Sequence, residues 1–124
     1  MSTIIGNDDR TFDHVEIEYI GEVVVVKVLD DLVSEYVDNF SKLLDVVIKQ
    51  RKFNIVIDFS EIDYMCSFAL GMVIHVLKKV RKNDGDMCLC GVGDWLSNLF
   101  AIARVDELIK IFKSKDEAIG FFKT

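Results

Sequence analysis

From Val15 the chain alternates. Val15, Ile17 and Tyr19 are apolar or aromatic, while Glu16 and Glu18 are charged. A period of two predicts a strand with one solvated face. Gly21-Glu22 then makes a turn, and Val23 to Leu29 follows as a second, more buried strand, so the pair predicts a hairpin. The period then changes. Leu32, Val33, Tyr36, Val37, Phe40, Leu43, Leu44 and Val47 fall on one face of a helix, with Asp31 or Ser34 as its expected cap. Ile55-Val56-Ile57, ending at Asp58, has no polar face and predicts a central strand covered on both sides. A loop, Ser60 to Cys66, leads into a helix from Ser67 to about Lys82, with Leu70, Val73, Ile74, Leu77 and Val80 as its expected buried stripe. Lys78, Lys79, Arg81 and Lys82 gather in its last turns, where positive charge suits the helix dipole, and Asn83-Asp84-Gly85 stops it. Met87 to Val92 predicts a fourth strand. Asp94 is placed to cap a third helix carrying Leu96, Leu99, Phe100 and Ala103, and Leu108 to Phe112 predicts a short fifth strand. Ser114-Lys115-Asp116-Glu117 has the form of a capping box and opens a last helix running through Phe121.

The predicted order is β-β-α-β-α-β-α-β-α. Strands alternating with helices after a hairpin predict an α/β fold with a mixed, mostly parallel sheet and about four packed helices. The 124 residues read as one domain over 1–124, with residues 1–11 polar and loose. Hydrophobic residues make up 51% of the chain, too many for a disordered segment. No apolar run reaches the roughly 18 residues that cross a bilayer, and the start carries no secretory signal pattern, so a cytoplasmic protein without a membrane partner is expected. The net charge of −6 argues against direct nucleic-acid binding, which needs a basic face. Three cysteines, an odd number, argue against a disulfide framework.

Signals for catalysis are weak. Gly91-Val92-Gly93 lacks a third glycine and reads as a turn rather than a phosphate loop. His14 and His75 are the only histidines, and His75 reads as a solvated or half-buried side chain. Cys88 and Cys90 stand two residues apart on one strand face, roughly 7 Å from each other, too far for an easy disulfide and without further ligands at zinc-like spacing, so they read as small core residues. Asp58, Glu61 and Asp63 are read as solvated loop residues. No metal and no cofactor is expected.

The most informative stretch is Asp63 to Gly71. It brings Ser67 to a helix N-terminus straight after a central strand, at the carboxyl edge of the sheet, where α/β proteins build sites. Ser67 reads either as a helix cap or as a phosphorylation switch, since a phosphate there meets backbone N–H groups and the positive end of the helix dipole.

Met65-Cys66-Ser67-Phe68-Ala69-Leu70-Gly71 resembles the Met-Asp-Ser-Ser-Gly-Leu-Gly motif of STAS domains of the anti-sigma factor antagonist type. The tail is similar too, in Leu96-Ser97-Asn98-Leu99-Phe100, Leu108 to Phe112 and Asp116-Glu117-Ala118-Ile119. The resemblance spans about residues 13 to 122 and implies a STAS-like fold. It implies a binding module rather than an enzyme, one that binds a serine-kinase anti-sigma factor and is switched by phosphorylation of Ser67. Lys27-Val28-Leu29-Asp30 stands where the family has Gly-x-Leu-Asp, which places Asp30 near the partner surface. Cys66, Phe68 and Met72 are the other expected partner contacts. Cys66 replaces the family's acid, Phe68 its second serine and Ala69 its glycine. Two further readings follow from these departures: a STAS scaffold independent of phosphorylation, and a thiol sensor built on Cys66. A homodimer is compatible with the sequence.

Overall fold

The computed structural model describes residues 14–123; the tail expected at residues 1–11 lies outside them. Five strands form one sheet in the order β1 (Val15–Ile20), β2 (Val23–Val28), β3 (Asn54–Asp58), β4 (Asp86–Cys90) and β5 (Lys110–Phe112). The hairpin pair β1–β2 is antiparallel, with Ile17 opposite Val26 and Glu16 opposite Lys27. The remaining neighbours pair in parallel. Helices α1 (Val37–Lys49), α2 (Ser67–Lys82) and α3 (Asp94–Ile102) follow β2, β3 and β4, and α4 (Lys115–Phe121) closes the described chain. This is the mixed, mostly parallel α/β architecture that the periodicity predicts.

The period of two along the strands divides the core. Val24, Val26, Ile55, Ile57, Met87 and Leu89 point to one face, where Phe40, Leu44, Val73, Leu96 and Phe100 of α1, α2 and α3 pack on them. Val23, Val25, Val56, Cys88 and Cys90 point to the other, against Ala118 and Ile119 of α4. Phe40, Phe59 and Phe100 are among the largest fully buried side chains, each contributing about 1.5–3 kcal/mol of apolar burial.

Several details of the elements differ from the sequence expectation. Helix α1 starts at Val37, five residues later than the stripe beginning at Leu32 suggests, and its N-terminal residue Tyr36 makes no side-chain cap. Leu32 is buried in an isolated bridge with Met65, so its apolarity serves the loop rather than a helix face. On α2 the buried set is Ala69, Val73, Val76, Leu77 and Val80; Leu70 and Ile74 are only half-buried. Gly93, not Asp94, is the capping position of α3, and Asp94 stands in its first turn. Strand β5 begins at Lys110, because Val105–Glu107 forms a 3-10 turn after Arg104 adopts a left-handed conformation. The capping box of α4 is present: Glu117 N donates to Ser114 Oγ at 3.2 Å, and Ser114 N donates to Glu117 Oε1 at 3.3 Å.

Candidate functional site at the start of α2

The segment that carries Ser67 is held from both ends. Strand β3 is buried from Ile55 to Asp58, and the chain leaves it through Phe59, whose N donates to Cys90 O at 2.9 Å. Ile62 and Met65 are buried and anchor the loop to the core. Leu32 N donates to Tyr64 O at 3.1 Å and Cys66 N to Leu32 O at 2.9 Å. The Asp31 carboxylate accepts from Asp63 N at 2.8 Å and from Tyr64 N at 3.2 Å. Asp31 is therefore a loop clamp, not the helix cap expected from the sequence. The clamp ties the loop after β2 to the loop after β3, so Asp30 lies beside the segment leading to Ser67.

Cys66 takes the capping position of α2 in extended conformation, and its thiol makes no cap hydrogen bond. Ser67 is thus the first helical residue rather than the cap, and it is exposed. The first N–H groups of any helix lack intrahelical partners, so an anion carried by Ser67 stands at a favourable helix end. At about 100° per residue around the axis, Ser67 and Phe68 lie on different flanks of α2. Phe68 is 62% exposed, an unusual position for a phenyl ring. Ala69 is fully buried. Cys66 is half-buried. Met72, expected as a partner contact, is half-buried and turned toward α1, where its Sδ accepts from Ser41 Oγ at 3.9 Å. The Asp30 carboxylate is exposed and lies 2.5 Å from His14 Nδ1, whose ring stacks on Tyr36.

Sequence reasoning missed an aromatic pair beside these residues. Tyr64 and Trp95 are both exposed, with ring centroids 5.0 Å apart, and they join the loop to the start of α3. The available signal was the chain's single tryptophan next to a helix start, a residue too large and polar-tipped to be spent on solvent without a use.

The other candidates fall elsewhere. Asp58 is not a solvated loop residue: it is 7% exposed, and its Oδ1 accepts from Ser60 N at 2.9 Å. Glu61 and Asp63 are exposed as expected. Cys88 and Cys90 are buried free thiols, and burial pushes the pKa of each up to about 12, with Cys90 and Asp86 adding to the effect at Cys88, and Asp58 adding to it and Lys115 opposing it at Cys90; they are inert core residues. His75 is exposed on α2. Among the described residues no cluster of His, Cys, Asp or Glu is arranged to hold a metal ion, and no helix is long and apolar enough to cross a membrane. A cavity of about 190 Å³ on the α4 side of the sheet is lined by Glu16, Glu18, Lys27, Asp58 and Lys115, but its lysines lie against acids: Lys115 Nζ is 3.3 Å from Glu18 and Lys27 Nζ 3.8 Å from Glu61.

A family model described as "STAS domain" matches residues 14–118. The chain is similar to the anti-sigma-B factor antagonist of Listeria monocytogenes, 27% identical over 120 residues that cover 97% of each protein. Its fold is similar to the crystal structure of an anti-sigma factor antagonist from Mycobacterium paratuberculosis, with a TM-score of 0.81 at 17% identity, covering 89% of this chain and 93% of that one. It is likewise similar to the phosphorylated form of the Bacillus cell fate determinant SpoIIAA, with a TM-score of 0.71 at 18% identity, covering 87% of this chain and 98% of that one.

Proposed function

Since this chain belongs to the STAS domain family, we propose that it works by protein–protein binding, as an anti-sigma factor antagonist-like regulator that docks a serine-kinase anti-sigma factor and is released when Ser67 is phosphorylated. The observation that carries this reading is the placement of Ser67. It is exposed, it is the first residue of α2, and it follows a loop clamped to the core by Leu32 and Asp31. A kinase can reach it, and the fold can bear a phosphate there. The names of the Listeria relative and of phosphorylated SpoIIAA support the same reading.

In this mechanism the unmodified surface docks through Phe68 and its neighbours, with Asp30 at the margin. Phosphorylation adds about −1.5 to −2 charges beside the exposed rings of Phe68 and Tyr64 and near Glu61 and Asp63. A dianion in a contact that is otherwise apolar must lose its water on docking, and that cost weakens the complex. On this reading the protein is a cytoplasmic binding module and not an enzyme. Cys66 then stands where the kinase would meet an acid in other family members, and its thiol is half-buried.

The test is to incubate the chain with purified serine-kinase anti-sigma factors from its own organism and ATP, then map phosphate by mass spectrometry and measure binding before and after. A single phosphate at Ser67 and a weakened complex are expected. Tight binding with no phosphate at Ser67 from any of the kinases would replace the switch by a phosphorylation-independent scaffold. Preferential alkylation of Cys66, with loss of binding on its oxidation, would favour the thiol sensor.

A further inference from the structure

The outer face of α3 is unlike the solvent face of an ordinary helix. Leu96 and Phe100 fill the core, and Trp95, Asn98, Ile102 and the half-buried Leu99, which also packs on the core, line a shallow apolar cleft of about 260 Å³. Trp95 is 50% exposed and Ile102 83%. The spacing i, i+3, i+4, i+7 is the seam that one helix offers another. The stripe does not stand alone. The Tyr64 ring, 5.0 Å from that of Trp95, continues it to the loop before Ser67, and Phe68 adds a further exposed ring on α2.

Charge on this surface is of one sign. From Phe59 through the first two turns of α2, and along α3, the charged residues are Glu61, Asp63 and Asp94, with no lysine or arginine. Glu61 lies 3.8 Å from Lys27, whereas Asp63 and Asp94 are the chain neighbours of Tyr64 and Trp95. Arg104, beyond the end of α3, is faced by Glu107 at 4.0 Å. The cations of α2 all stand in its second half, at Lys78, Lys79, Arg81 and Lys82. An apolar seam bordered by acids complements an apolar ridge bordered by bases. A helix of nine residues spans only about 13 Å, too little to bury the roughly 800 Å² per partner of a stable interface. The seam is therefore a flank of a larger contact rather than a dimer seam sufficient in itself.

We infer that the Tyr64–Trp95–Leu99–Ile102 stripe receives an amphipathic helix of the protein partner, one whose apolar ridge is flanked by lysine or arginine, as an extension of the surface around Ser67. The inference rests on the docking surface proposed above and adds to it the chemistry of the partner. Phosphate at Ser67 then lies at the border of a contact that forms by excluding water.

Trp95, the only tryptophan, reports directly on this surface. The probe is a synthetic amphipathic helical peptide of about 18 residues with a leucine ridge and lysine flanks, titrated into the whole chain and followed by tryptophan emission. A twin peptide carries glutamate in place of each lysine. A blue shift is expected with the lysine peptide at concentrations at least about tenfold below those the glutamate twin needs, and that preference should collapse between about 0.05 and 0.5 M salt. Ile102→Ser, which removes apolar surface without adding charge at a position exposed enough to leave the circular dichroism unchanged, should weaken the lysine peptide at least about tenfold. Equal response to both peptides, an unaffected Ile102→Ser variant, or a blue shift that grows with protein concentration alone would overturn the inference, the last assigning the stripe to a second copy of the chain. The phosphate mapping decides Ser67 separately. Peptide selectivity without a phosphate removes the switch and keeps this surface; a phosphate without peptide selectivity does the reverse.

Discussion

Gly85 lies against Phe53 so closely that a Cβ built on it would stand 2.0 Å from Phe53 O, a backbone atom that also accepts from Asp86 N at 3.0 Å. The turn between α2 and β4 must move to admit any side chain there. Gly85→Ala is expected to destabilise the protein by about 1–3 kcal/mol, read as a lower urea midpoint at unchanged slope. Gly91 is constrained differently. It adopts φ +69°, and a Cβ would meet Ser60 Cβ at 2.8 Å and Asp58 Oδ1 at 3.0 Å. Here the glycine that the sequence marks as a turn also makes room for the one buried carboxylate among the described residues, which periodicity alone does not reveal. The buried thiols carry a pH signature. Burial pushes the pKa values of Cys88 and Cys90 up to about 12 from the ordinary thiol range, so the folded state holds their protons where the unfolded chain releases them. Their contribution is complete below about pH 9 and is lost as pH rises toward about 12. Urea midpoints measured between pH 8 and about 11 should fall, and the double variant Cys88→Ala with Cys90→Ala should fall less steeply. Both thiols should resist alkylation at pH 8 until the chain is unfolded.

The element that matters most for the site is the loop between β3 and α2, and it is stabilised by a residue remote in sequence. Asp31 accepts two backbone N–H groups of that loop, and Leu32 exchanges two backbone hydrogen bonds with it. Asp31→Ala is expected to cost about 1–3 kcal/mol, because hydrogen bonds to a charged acceptor are the stronger kind and both donors are left without it. Hydrogen exchange should accelerate at Asp63 and Tyr64 while the strands keep their protection. This pairing explains why the elements were largely legible in the sequence and the clamp was not. Strands, helices and the α4 capping box follow from local periodicity and from side chains three or four residues apart. The bridge between Leu32 and Met65 joins positions 33 residues apart, and to a local reading Leu32 is indistinguishable from the first turn of α1. The position of Ser67 at the start of α2 was legible because the stretch around it is contiguous. The Tyr64–Trp95 contact was not, because it arises only when the sheet places the start of α3 beside the start of α2.

For the molecule as a whole, the question is whether phosphate at Ser67 would act by unfolding the domain or by changing its surface. The terms can be weighed. A negative group at a helix N-terminus gains about 0.3–1 kcal/mol from the dipole and the first N–H groups, while the exposed acids Glu61 and Asp63 oppose it by a similar amount across solvent. Ser67 is exposed and belongs to neither core cluster, so no buried contact is lost. The net change in stability is therefore below about 1 kcal/mol, a shift in melting temperature of at most about 5 °C for a domain of this size. The same group in an interface must be dehydrated next to Phe68 and Tyr64, which costs several times more. Ser67→Asp, and the phosphorylated protein itself, are expected to keep the circular dichroism spectrum and nearly the same melting temperature while losing partner affinity at least about tenfold. A fall of about 10 °C or more on phosphorylation would mean that the switch works through the fold instead, with the loop clamped by Asp31 as the element that gives way.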